Sequence, residues 1–134
     1  MDQTQLREQL TKWLTSFVER PQFLLNNWPP CPYARQARID NKIHIVFDSP
    51  LEIANYVTFL NNYDVVILCF DHTEFSVSQI KLFTEHINSI LIWKDFVVLE
   101  DHPDSVELIN GLKMNFGKCG LMLLQKLSKL NTAA

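Results

Sequence analysis

DVVILCF, residues 64–70, carries apolar side chains at consecutive positions with no polar alternation. A run this short and apolar on both faces fits a strand buried between two layers, as in a parallel sheet covered by helices. Two further segments repeat the pattern. KIHIVF, 42–47, and DFVVLE, 95–100, also read as buried strands.

Helical signals separate the three strands. Ser49, Pro50 and Glu52 form a helix start with proline at the first helical position, and Ile53, Val57 and Leu60 then face inward. Ser76 with Gln79 is a capping pair opening a helix whose stripe is Ile80, Phe83, Ile87 and Leu91. Helical crossovers imply parallel, right-handed connections. Before the first strand, Leu6, Leu10, Trp13, Leu14, Phe17 and Val18 predict an amphipathic helix over 4–19, closed by Pro21. A proline-rich loop spans 26–41, and its X-Pro steps forbid helix over 26–33. After the third strand, Asp104 and Glu107 predict one short helical turn ended by Asn110 and Gly111. A last helix over about 116–130 carries Leu121, Leu124 and Leu127, and the tail 131–134 is expected to fray. The expected fold is therefore α/β: a small three-stranded parallel sheet covered by four main helices in the order αβαβαβα, as a single domain over 1–134.

Composition narrows the function classes. A net charge of -3 with no lysine or arginine run argues against nucleic acid. No apolar stretch approaches the roughly 18–20 residues that cross a bilayer. MDQTQLREQ has neither the basic start nor the apolar run of a signal peptide, so a cytoplasmic location is expected. The three cysteines, Cys31, Cys69 and Cys119, form no CxxC pair and predict reduced thiols, with Cys69 in a strand and Cys119 at a helix start read as packing. No GxGxxG, Walker, HExxH or GxSxG pattern occurs.

In open parallel sheets, ligands settle beyond the carboxyl ends of the strands. Those ends carry Asp48, then Asp71 and His72, then Glu100, Asp101, His102 and Asp104. Acidic and imidazole groups together suit a divalent metal ion or an acid/base pair. We expect His102 as general base or metal ligand, Asp104 as its orienting carboxylate, His72 as a second metal ligand or acid, and Asp71 as a ligand-binding group. Cys31 is a nucleophile or soft ligand in this scheme, with Arg35 and Arg38 as anion anchors able to depress its pKa. The opposing expectation for each is structural: aspartates cap helices, loop histidines are often idle, and a cysteine in a stiff loop is often a small plug. His44 and His86 read as packed or surface residues. A rival class is a non-catalytic interaction protein, self-associating as a homodimer or binding a protein partner through Phe23, Leu24, Leu25, Trp28 and Tyr33.

CPYAR after an amphipathic helix, a histidine after the second strand and HPD after the third resemble a small bacterial domain family of unknown function. That family has an early Leu-Cys-Pro-Phe-Ala box and a late Phe-His-Pro-Asp-Tyr-Gln box. The resemblance covers residues 13–127 and implies roles for Cys31, His72, His102 and Asp104. Ser105 and Val106 depart from the family's Tyr-Gln, MNFGKCG has no clear counterpart to its Asn-Arg-Ser-Pro-Tyr-Pro stretch, and Met122 stands where its helix carries a histidine. Those departures imply a lost activity, or one rebuilt on Lys113 and Lys118.

Overall fold

The structure, a computed structural model, describes residues 2–132. Helix α1 runs Gln3–Trp13, with Asp2 accepting from the Gln5 amide as its N-cap, and passes into a π-helical turn over Leu14–Val18. Leu6, Leu10, Leu14 and Val18 are its buried residues, the stripe expected from their spacing.

The three expected strands form within a residue of their predicted limits: β1 at Ile43–Phe47, β2 at Val65–Phe70 and β3 at Phe96–Asp101. Strands β1 and β2 are parallel neighbours, with Ile43 opposite Val65. The sheet nevertheless has four strands and is mixed, which corrects the three-stranded parallel arrangement. A two-residue pair, β4 at Leu108–Ile109 and β5 at Leu112–Lys113, precedes β6 at Gly120–Lys126, and the main sheet runs β1-β2-β6-β3. Strand β6 is antiparallel to both neighbours, so β1, β2 and β3 share one direction although β3 does not touch β2.

GLMLLQK was expected as helix because Leu121, Leu124 and Leu127 recur every third residue. As a central strand it buries side chains on both faces, and the resulting apolar run satisfies helical and extended readings equally. Leu121 packs with the α1 layer, and Met122 and Leu124 with the other. Gly120 enters this strand with no room for a side chain, since a Cβ there would collide with the Phe70 ring.

The expected helical turn after Asp104 is also replaced. Asn110 and Gly111, at φ 52° and 83°, make the tight turn between β4 and β5. Two successive left-handed residues are what a two-residue hairpin turn of matching twist requires. Within the expected loop 26–41, residues Ala34–Ile39 form helix α2. Of the expected frayed tail, residues 131 and 132 belong to a short helix α4, Leu127–Thr132, while 133 and 134 lie outside the described residues.

One face of the sheet is covered by a 3-10 segment, Pro50–Asn61, and by helix α3, Val77–Leu91. Ser76 and Gln79 cap α3 reciprocally, as read from the sequence. Ile53, Leu60, Ile80 and Leu91 meet Val66, Leu68, Phe70, Val98, Met122 and Leu124 in this larger core. On the opposite face Leu6 and Leu10 of α1 lie over Ile67, Cys69 and Leu121. Asn88 of α3 donates to the Val98 carbonyl at 2.9 Å and accepts from its amide at 2.8 Å, satisfying the backbone of edge strand β3. No helix among the described residues is long and apolar enough to cross a membrane.

Candidate functional site

Parallel strands β1 and β2 end side by side, and their ends open into a hollow of about 270 Å³. Phe47, Pro50, Phe70 and Phe75 supply its apolar lining. Asp48, Asp71 and Glu74 supply three carboxylates, while Gln3, Ser49 and Cys69 complete it. Among the described residues, no lysine, arginine or histidine lines it.

Local structure fixes two of these acids. Asp48 accepts from the Ser49 amide at 2.7 Å and from the Tyr56 hydroxyl at 2.7 Å. That phenol bond raises the Tyr56 pKa above its ordinary value, because the hydroxyl proton is held by a carboxylate. Asp71 caps the 3-10 turn His72–Glu74, with Oδ1 accepting from the Thr73 hydroxyl at 2.6 Å and amide at 3.0 Å. Those donors hold its carboxyl below the usual range, the hydroxyl contributing most. Glu74 is exposed on the same turn.

The sequence placed a site at this edge, and Asp71 stands in it. The histidines occupy a neighbouring position. His72 and His102 meet edge to face, with ring centroids 5.7 Å apart. His102 is 2% exposed and both its ring nitrogens are engaged. Nε2 lies 2.7 Å from the Phe75 carbonyl and Nδ1 accepts from the Asp104 amide at 3.1 Å. A carbonyl can only accept and an amide can only donate, so these partners fix the neutral tautomer with its proton on Nε2. Asp104 therefore serves His102 through its backbone, while no carboxylate bond from Asp104 to the imidazole exists among the described residues.

The HPD loop is held from beneath. Buried Asn115 donates to the His102 carbonyl at 3.0 Å and to the Ser105 carbonyl, and accepts from the Glu107 amide at 2.7 Å. Asp101 accepts from the Phe116 amide at 2.9 Å, and burial pushes its carboxyl above the ordinary range. Among the described residues, no three His, Cys, Asp or Glu side chains converge to hold a metal ion.

Cys31 lies elsewhere. It packs with Leu14, Val18, Ala34 and Ile43, and its amide donates to the Val18 carbonyl at 3.1 Å. Ile43 begins β1 and His102 follows the end of β3, so Cys31 and His102 sit at opposite edges of the sheet. Arg38 makes a two-pronged ion pair with Glu19, at 2.7 and 3.0 Å, and this bond raises its pKa. Arg38 thereby ties α2 to the end of the first helical stretch. Arg35 is exposed on α2. His44 stacks against both Phe59 and Tyr63, at 4.6 and 4.7 Å, as a packed residue.

Glu74 and Phe75 were not singled out by sequence reading. The turn between β2 and the α3 capping box would have marked them, because it must lie on the carboxyl edge. Neither a family model, nor a curated protein, nor a solved structure matches this chain.

Proposed function

We propose that the protein binds a small organic cation, an amine on a short hydrocarbon, in the hollow at the carboxyl ends of β1 and β2. Asp71 and Glu74 are the ion partners, Asp48 adds negative potential, and Phe47, Pro50 and Phe75 contact the hydrocarbon. The observation that supports this reading is the lining itself: three carboxylates and four apolar side chains, with no lysine, arginine or histidine among the described lining residues and Arg7 set behind the Phe47 ring. A bare divalent ion needs several free oxygens at close range. Here both Asp48 oxygens and one Asp71 oxygen already accept protein hydrogen bonds, which favours a diffuse cation with apolar parts. At about 270 Å³ the hollow lies just below the range of roughly 300–1,000 Å³ for drug-sized ligands, so the ligand is small.

Thermal unfolding with 1,4-diaminobutane and, separately, succinate tests the proposal. Ligand at ten times its Kd should stabilise by about 1.4 kcal/mol. The diamine should raise Tm with the logarithm of its concentration above Kd and succinate should not, and Asp71→Asn with Glu74→Gln should remove the response. Asparagine keeps the oxygen that caps Thr73, so the variant tests charge rather than folding. Equal responses to both compounds, or an undiminished response in the variant, would reject the proposal.

A second reading, a protein-interaction surface, is favoured by one continuous patch. Phe23 is 87% and Trp28 66% exposed on a tight turn closed by the Gln22 amide and Trp28 carbonyl. Asn110, at the hairpin tip, donates to the Leu24 carbonyl at 3.0 Å and brings exposed Leu108 and Ile109 alongside. Light scattering on wild type and Trp28→Ser tests the homodimer form of this reading. A dimer that Trp28→Ser dissociates supports it, and a monomer in both removes it.

A further inference from the structure

We infer that β1 is the contact strand of a homodimer, in which the free edges of two copies pair antiparallel about a twofold axis at Ile45 and join the two main sheets. The main sheet has two edges, β1 and β3. Asn88 covers the β3 edge by bonding both backbone groups of Val98. Among the described residues nothing does the same for β1. The Asp48 amide donates to the Cys69 carbonyl and the Lys42 carbonyl accepts from the Val65 amide, so residues 42, 44, 46 and 48 turn their backbone groups toward β2. Ile43, Ile45 and Phe47 turn theirs outward. No partner for those amides and carbonyls lies among the described residues.

A strand edge is ordinarily blunted by proline, a charged side chain or a bulge. IHIVF, residues 43–47, contains no proline, lysine, arginine or carboxylate, and its register with β2 is unbroken. All five residues are half-buried, whereas five of the six in β2 are buried. Beside the edge, a hollow of about 130 Å³ between Thr11, Leu14, Arg38, Asn41, Ile43 and Ile45 leaves room for an apolar side chain from outside.

A second copy of the chain is the occupant that this strand fits. With Ile45 opposite Ile45 of the second copy, Ile43 faces Phe47, and every outward amide and carbonyl of both strands gains a partner. These side chains lie on the α1 face, so the pairs are apolar. His44 meets Val46 on the other face. Lys42 and Asp48, both exposed, then fall opposite each other at either end, with about 5 Å between Cβ atoms. Opposite charges therefore favour this register. Moving the axis by one residue would leave Ile43 or Phe47 without a partner and separate the charges. The contact is isologous and closes at the dimer. The inference stands apart from the organic-cation reading, because Asp71 and Glu74 take no part in the contact. It is equally separate from the Trp28 patch, which lies on another turn.

Sedimentation equilibrium and amide hydrogen exchange on the full-length protein test the inference. The wild type should have twice the mass of one chain, with the Ile45 and Phe47 amides slow to exchange. Lys42→Glu sets a like charge against Asp48 of the second copy, and should raise the dimer Kd by about tenfold or more while speeding exchange of those amides. Asp48→Lys should do likewise. An equimolar mixture of the two variants should dimerise again, because each charge then meets its opposite, and Trp28→Ser should leave the dimer intact. A wild-type monomer at millimolar concentration, a dimer indifferent to Lys42→Glu, or one that Trp28→Ser dissociates would overturn the inference. The Lys42→Glu result decides even if Asp48→Lys, which also loses the bond from Tyr56, fails to fold.

Discussion

Replacing His102 by alanine separates a structural histidine from a working one. The side chain is 2% exposed and joins the Phe75 carbonyl to the Asp104 amide. Truncation leaves that carbonyl without its partner, at about 1–3 kcal/mol for a buried group. Loss of a ring-sized volume beside Phe70, whose centroid is 6.4 Å from that of His102, adds about 2 kcal/mol or more if the space does not collapse. Water entering from the exposed Asp104 side offsets part of this, so we expect a loss of about 3 kcal/mol. For a chain of this size that lowers Tm by roughly 10–15 °C. Glutamine, whose amide can still donate to Phe75, should recover about half of the loss. Urea unfolding followed by circular dichroism would show a reduced midpoint with an unchanged slope. Stability within about 0.5 kcal/mol of wild type would refute the reasoning. If ligand or metal binding were lost at the same time, His102 would be the acid/base group or metal ligand that its place after β3 first suggested.

Gly120→Ala should destabilise by about 2–3 kcal/mol through overlap with the Phe70 ring. Phe70→Leu should relieve part of that cost in a double-mutant cycle, and strict additivity would locate the strain elsewhere. Asp101 has its folded pKa raised by burial, so the folded state binds its proton more tightly than the unfolded state. Its contribution to stability is therefore greatest below the unfolded value, near 4, and falls as pH rises toward the folded value. Asp101→Asn keeps an acceptor for the Phe116 amide, and should remove that slope and be more stable at pH 7. Identical pH profiles for variant and wild type would contradict this. Thr84 is buried on α3, and its hydroxyl has no hydrogen-bond partner among the described residues. Thr84→Val should accordingly gain about 1 kcal/mol, whereas a fall in Tm would reveal a bonded hydroxyl.

Much of the fold was legible because its signals are local. KIHIVF, DVVILCF and DFVVLE stand out as apolar runs, and the Ser76 and Gln79 capping pair is a physical contact between residues three apart. Strand β6 was hidden because a strand buried on both faces has no alternation, and its leucines fall at a spacing a helix also allows. Asn110 and Gly111 carried a hairpin signal that a helix-terminating reading absorbed, although two left-handed positions in succession suit a tight turn better. Strand direction pointed to this edge of the sheet, where Asp48 and Asp71 line the hollow. Which groups share the hollow was not legible, because His72 and His102 turn toward each other instead of lining it. That Cys69 and Cys119 share one core cluster was equally invisible. Only the pairing of β2 with β6 brings residues fifty apart to one face.

The most direct test of the central claim is the change in backbone amide NMR shifts as 1,4-diaminobutane is added. The account predicts saturable shifts centred on Ser49, Asp71, Glu74 and Phe75, and their loss when Asp71→Asn and Glu74→Gln are combined. Shifts centred on the Glu19 and Arg38 end of the sheet, or none at millimolar diamine, would contradict it.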